Sequence, residues 1–144
     1  MTHLVKDGRN FQMPVKYKLN KDMKDLTYSK SFLIKEEDTA LHLGSGDLNV
    51  LSTPSLIASM ENAAMNCAKP KLQDGFTTVG TLINIRHLKA CKVGQRYIAK
   101  ATLMEEDGRK LVFKVEASDE EGNLLGEGTH ERFIVDSVKF MNKI

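Results

Sequence analysis

From Thr53 to Ala68 the chain reads TPSLIASMENAAMNCA, and its apolar residues recur with helical spacing. Laid out at ~100° per residue from Leu56, the side chains of Leu56, Cys67, Met60, Ala64, Ile57 and Ala68 span roughly 0° to 120° and form one apolar arc. Ser55, Ser59, Asn62 and Asn66 gather at about 240° to 300°, which predicts a wet side. Two polar residues break this division. Glu61 falls at about 140°, on the shoulder of the apolar arc, and Thr53 projects near ~60°, into its middle. Lys69-Pro70 stops the helix, because the residue before proline is pushed out of the α region.

Around the helix the pattern changes to period two. Tyr28 to Ile34 reads as a short strand, and Ala40 to Leu43 as a second extended piece. Gly44 to Asp47 is a loop by composition, and Lys71 to Gly75 a turn. In Thr77–Leu88, Val79, Ile83 and Ile85 share a face. Gln95–Glu105 follows, and Asp107-Gly108 is a hairpin signal leading into Arg109–Ser118. There Leu111, Phe113, Val115 and Ala117 lie on one face. Glu121-Gly122-Asn123 turns the chain into a long final strand, Leu124–Val138. One strand, one long helix and four strands in hairpins predict an α+β domain over residues 27–144. A helix this apolar is best buried by a curved antiparallel sheet wrapped around it, which is the hot-dog fold. Its open edges predict a homodimer, with a tetramer left open.

Composition narrows the class of protein. A length of 144 residues suits one domain, and 41% hydrophobic with 28% charged residues is globular. No apolar run approaches the ~20 residues of a membrane span, and no signal-peptide core is present, so a cytoplasmic protein without a membrane partner is expected. Cys67 and Cys91 stand in no metal-ligand spacing, nor do His3, His42, His87 and His130; no metal is expected. Cys67 reads as a small core residue. A net charge of +2 gives no whole-chain attraction for nucleic acid. The charge is uneven, since residues 1–30 hold seven Lys/Arg against three Asp. Residues 1–26 are expected to be a flexible basic leader.

His87 supplies the third chemical group. Without a bulge it shares the face of Val79, Thr81, Ile83 and Ile85 and looks toward the helix, while Gly80 has the opposite parity. Thr53, Glu61 and His87 together offer a hydroxyl, a carboxylate and an imidazole, the ingredients of nucleophilic or general-base catalysis. The helix start adds backbone N–H groups and a positive dipole end, suited to an oxyanion. Each residue also has a plain structural reading. Thr53 before Pro54 is an ordinary N-cap, Glu61 can snorkel from the helix edge, and an inward histidine is usually a satisfied core residue.

Three segments, VLSTPSLIASMENAA, GTLINIRH and GTHERFIVDSVKFMNKI, resemble the fluoroacetyl-CoA thioesterase family of hot-dog proteins, over roughly Tyr28 to the C-terminus. The resemblance implies Thr53, Glu61 and His87 as the catalytic set and Gly80 beside the substrate acyl group. It also brings in the shared GTHER string, Gly128 to Arg132, with Arg132 as a substrate-binding candidate. Strand alternation alone would equally make that string sheet surface. The family's fluoroacetate-specific member has an aromatic gate in a longer lid before the threonine; here that segment is SGDLNV, and Asn62 replaces the tryptophan after the glutamate. A related acyl-CoA thioesterase is therefore the better expectation.

The implied reaction is hydrolysis of a short acyl-CoA without a metal or separate cofactor, coenzyme A being part of the substrate. His87 is expected as general base, oriented by or coupled to Glu61, with Thr53 or a water it holds attacking the thioester. Lys89, Lys92 and Arg96 around the Ala90–Gly94 turn read as a solvated turn before they read as phosphate ligands. A non-catalytic acyl-CoA-binding module is the rival from another class. A hot-dog dehydratase fits the Thr53/Glu61 pair less well.

Overall fold

The structure, a computed structural model, describes residues 2–4, 10–12 and 26–144. Two short strands, β1 (Thr2–Leu4) and β2 (Asn10–Gln12), pair antiparallel. Apart from Leu26, the rest of the segment expected to be a basic leader lies outside the described residues. The main elements then follow as β3 (Thr27–Leu33), α1 (Ala40–Leu43), α2 (Thr53–Ala68), β4 (Phe76–His87), β5 (Arg96–Asp107), β6 (Lys110–Asp119), β7 (Leu124–Asp136) and α3 (Ser137–Asn142). Strands β3-β5-β6-β7-β4 form one five-stranded sheet in that order, antiparallel at every junction. A single long helix laid on an antiparallel sheet is the hot-dog arrangement that the pattern predicts. Among the described residues no helix is long and apolar enough to cross a membrane.

The core forms where the helical arc meets the inward parity of the strands. Leu56, Met60, Ala63, Ala64, Cys67 and Ala68 of α2 are buried against Ala99, Ala101 and Leu103 of β5 and Leu111, Phe113 and Val115 of β6. The small β5 residues let the helix approach closely, and each fully buried Leu or Phe side chain contributes about 1.5–3 kcal/mol. Burial also raises the Cys67 thiol pKa to about 11, so it behaves as the core residue expected.

Three local expectations are corrected. Ala40–Leu43 is a helical turn rather than an extended piece: the Thr39 hydroxyl accepts from His42 N–H at 3.1 Å, and Gly44, at φ 76°, ends it. The last strand stops at Asp136, whose carboxylate accepts from Lys139 N–H at 3.0 Å and starts α3. Ser59, placed on the wet side by the helical wheel, is 4% exposed; its hydroxyl donates to the Leu56 carbonyl at 2.6 Å and lies against Tyr97.

Bulges matter more than these end effects. The β4–β7 register shifts between Gly80 and Leu82, with Thr81 as the extra residue. The β6–β7 register shifts between Ala117 and Ser118, with Leu125 as the extra residue. A further shift between Leu103 and Glu105 turns Glu106 inward, where its carboxylate lies 3.7 Å from the buried Lys71 ammonium just past α2. Each bulge exchanges the two faces of its strand from that point on.

Candidate active site

Ser52, not Thr53, caps α2: its side chain accepts from Ser55 N–H at 3.1 Å, and Thr53 and Pro54 form the first helical turn. The plain reading of Thr53 as the cap therefore falls away. Its hydroxyl is exposed and instead stands 2.8 Å from Nδ1 of His87. The other ring nitrogen, Nε2, is buried without a hydrogen-bond partner among the described residues. Pro54 has no N–H and that of Ser55 is taken by Ser52, which narrows the oxyanion role expected of the helix start to the Thr53 N–H.

His87 reaches this point because of the bulge at Thr81. After it, Ile83, Ile85 and His87 are half-buried toward the helix, while Leu82, Asn84 and Arg86 are exposed. Before it, the inward residues are Thr78 and Gly80. The expectation that Val79 and Thr81 share the His87 face, with Gly80 opposite, is thus corrected; Gly80 and His87 share it. Opposite His87 in the ladder is Gly126, where a Cβ would come within 2.7 Å of the Arg86 carbonyl oxygen and 3.1 Å of Leu56 Cδ2. Only a glycine there lets β7 and β4 close over the start of α2.

Glu61 lies elsewhere. It is half-buried on α2, and no hydrogen bond joins it to His87 among the described residues. A Cβ added to Gly80 would stand 3.1 Å from Glu61 Oε2, 3.2 Å from His130 Cε1 and 3.3 Å from Arg132 Nη1. The missing side chain of Gly80 therefore leaves a gap bordered by a carboxylate, an imidazole edge and a guanidinium.

Arg132 is 7% exposed, which removes the reading of GTHER as sheet surface. Its Nε donates to Thr78 Oγ1 at 2.7 Å, Nη2 to the Thr78 carbonyl at 2.9 Å, and Nη1 contacts His130 Nε2 at 3.1 Å. His130 is fully buried, with Nδ1 at 2.7 Å from the Leu82 carbonyl. Burial pushes its pKa below the ordinary value; the Leu82 hydrogen bond opposes this, and the Arg132 charge adds to it. Burial likewise lowers the Arg132 pKa, with the Glu61 charge opposing.

The structure thus brings Thr53 and His87 into contact and sets Glu61, Gly80 and Arg132 around a second point. His130 and Thr78 were not singled out by the sequence reading. The signal for them is inward alternation along β7 back from Ile134, together with the β4 parity beyond the bulge. Lys89 is ion-paired with Asp119, as suits a solvated turn. Among the described residues, no group of three or more His, Cys, Asp or Glu side chains is placed to hold a metal ion.

A family model described as fluoroacetyl-CoA-specific thioesterase matches residues 34–138. The fluoroacetyl-CoA thioesterase of Streptantibioticus cattleyicolor is 33% identical over 95 residues, spanning 66% of this chain and 68% of that protein. A solved structure of the fluoroacetyl-CoA thioesterase FlK superposes with TM-score 0.77 at 28% identity, covering 83% of this chain and 93% of that one. A thioesterase superfamily member from Thermus thermophilus gives TM-score 0.77 at 25% identity, over 83% and 88% of the two chains. A hot-dog-like protein from Thermanaerovibrio acidaminovorans, at 20% identity and TM-score 0.75, shares the fold over 83% of this chain and 88% of that one.

Proposed function

Since the chain belongs to the fluoroacetyl-CoA-specific thioesterase family and is thereby a hydrolase of acyl-CoA thioesters, we propose that Thr53 and His87 of one copy activate the attacking oxygen while Glu61, Gly80 and Arg132 of a second copy, paired along β4 as proposed below, receive the acyl end. The observation that carries this reading is the 2.8 Å contact between Thr53 Oγ1 and His87 Nδ1. With its proton on Nε2, the imidazole presents the Nδ1 lone pair to the hydroxyl. It takes the proton as Thr53, or a water held by it, attacks the thioester carbonyl. The imidazolium gives that proton to the departing thiolate of coenzyme A; where the acyl group has passed to Thr53, a water deprotonated by His87 then releases it, and either route ends in a carboxylate. The Thr53 N–H, at the positive end of α2, faces the developing oxyanion; one such donor is typically worth ~3 kcal/mol. Glu61 acts at the acyl side of the gap, where its carboxylate lies beside Gly80 and is balanced by Arg132.

The acyl group we assign is short but not restricted to fluoroacetyl. The segment leading to Thr53 carries Leu41, Leu43 and Leu48, all well exposed, and no aromatic side chain. With the acyl-CoA substrate goes a cytoplasmic location. We further propose a homodimer: β4 ends the sheet, and a second copy pairing along this long edge would cover it and lie beside His87.

The test is thiol release from a panel of acyl-CoAs of increasing chain length, fluoroacetyl-CoA included. Turnover of acetyl-CoA and its short homologues at rates comparable to fluoroacetyl-CoA is expected. Saturable acyl-CoA binding without thiol release would contradict the catalytic assignment. Mass spectra of quenched reactions that show an acyl group on Thr53 would make it the nucleophile; turnover without the adduct would give that role to water.

A further inference from the structure

A fully buried histidine that neither faces solvent nor touches the Thr53–His87 pair is an expense unless its ring does something. His130 stands between two partners of fixed character. The Leu82 carbonyl only accepts, so Nδ1, at 2.7 Å, carries the ring proton. The Arg132 guanidinium only donates, so Nε2, at 3.1 Å, is a bare lone pair. The ring is held neutral and in one tautomer by its neighbours on both sides.

This matters for the cation beyond it. Arg132 is held at all three nitrogens, through the Thr78 hydroxyl, the Thr78 carbonyl and His130. Of these contacts, the one from His130 is on Nη1, the guanidinium atom that lies 3.3 Å from the position of a Gly80 Cβ, with Glu61 Oε2 3.1 Å from the same position. A buried guanidinium carries a desolvation cost that a residue kept for packing alone would not. Leu82, the first residue beyond the Thr81 bulge, ties the orientation of the ring to the same irregularity that turns His87 inward.

We infer that His130 is a positioning residue for hydrolysis: its Nε2 lone pair aims Nη1 of Arg132 at the Gly80 gap, and so fixes the Glu61 carboxylate and the acyl group against each other. This rests on the acyl end lying at Gly80, as proposed above. A displacement of ~1 Å in such a constellation costs on the order of 100-fold in rate.

The experiment is a set of steady-state kinetics on the preferred acyl-CoA for His130→Gln, His130→Asn and Thr78→Val, each with a thermal melt. The Gln side chain reaches far enough to accept from Arg132, whereas Asn retains only the reach toward Leu82. His130→Asn is expected to lower kcat by about 10- to 100-fold with KM within about threefold, and His130→Gln to recover most of that loss. Thr78→Val, which removes the Nε acceptor while preserving shape, is expected to lower kcat in the same way, and decides the matter if His130→Asn does not fold. Wild-type kcat in folded His130→Asn, or losses in all three variants that only track the folded fraction, would overturn the inference. Thr53→Ala assayed beside them keeps the two questions apart. Full activity of Thr53→Ala would overturn the proposed reaction site, while the His130 series stands or falls by its own kcat pattern.

Discussion

At the start of α2 an exposed hydroxyl meets a half-buried imidazole whose Nε2 has no partner among the described residues, whereas on β7 each nitrogen of Arg132 has an acceptor and the fully buried His130 is bonded at both ring nitrogens. A buried polar group left unpaired costs about 1–3 kcal/mol, so proteins rarely keep one without a use. The first corner keeps the reacting hydroxyl exposed and leaves the buried Nε2 unpaired, so the imidazole that must take a proton is not locked on both sides. In the second every nitrogen is already anchored, which makes a rigid bed while leaving further guanidinium N–H groups for the gap. Reaction and rigidity are thus separated along one face of the sheet, with Gly80 opposite Arg132 at the rigid corner.

Substitutions at the two corners should separate activity from stability. Thr53→Ala and His87→Ala are each expected to lower thiol release at least ~100-fold, the usual scale for a lost general base. Thermal melts should change little for Thr53→Ala, because its hydroxyl is exposed and the capping bond belongs to Ser52. At the other corner Arg132→Met should strike the fold: it strands Thr78 Oγ1 and His130 Nε2, and urea melts should show a loss of about 2–4 kcal/mol. Gly80→Ala should be folded and slowed about tenfold, because its methyl enters the gap at 3.1–3.3 Å from Glu61, His130 and Arg132. Turnover should then fall more steeply for the longer acyl groups of a panel.

The smallest effect is one of pH. His130 is buried neutral, with a folded pKa below its ordinary 6.5, so the unfolded chain takes up the proton first. Its contribution to stability is present above about 6.5, is lost as the pH falls from there, and is gone once the lowered folded pKa is passed. The groups that set this are Arg132 and Glu131 on β7, Glu61 on α2, the Leu82 carbonyl on β4 and the Phe113 ring on β6. Denaturant midpoints measured from pH 7.5 downward should fall more steeply for the wild type than for His130→Gln. Equal slopes would mean that His130 is not the titrating group.

The long helix was legible from end to end because sixteen residues of 3.6-fold periodicity are closed by Lys69-Pro70, and little competes with that signal. The inward face of β6 was legible from its period-two alternation, whereas strand order was not: hairpins in chain order would set β4 beside β5, and the sheet sets it beside β7. The polar bed was not. Counting back from the Glu121–Asn123 turn without the extra Leu125 sets Thr129 opposite Phe113; in the structure it is His130. Likewise, counting along β4 without the extra Thr81 puts Gly80 on the wrong face. Each bulge is a single residue beside a glycine, Gly80 before Thr81 and Gly126 after Leu125, a cue that does not say which residue is extra, and each reverses inside and outside. Coupling of Glu61 to His87 was expected for a related reason: the helical wheel places Glu61 on an apolar shoulder but not at a given height against the sheet.

Whether Thr53 and His87 act as one unit is most directly measured by a double-mutant cycle on kcat/KM with the best acyl-CoA substrate. Groups that work on one proton lose their activity together, so the Thr53→Ala, His87→Ala double variant should be no slower than the slower single variant. Losses that multiply, the double variant being slower by the product of the two single effects, would contradict a shared proton transfer across the 2.8 Å contact.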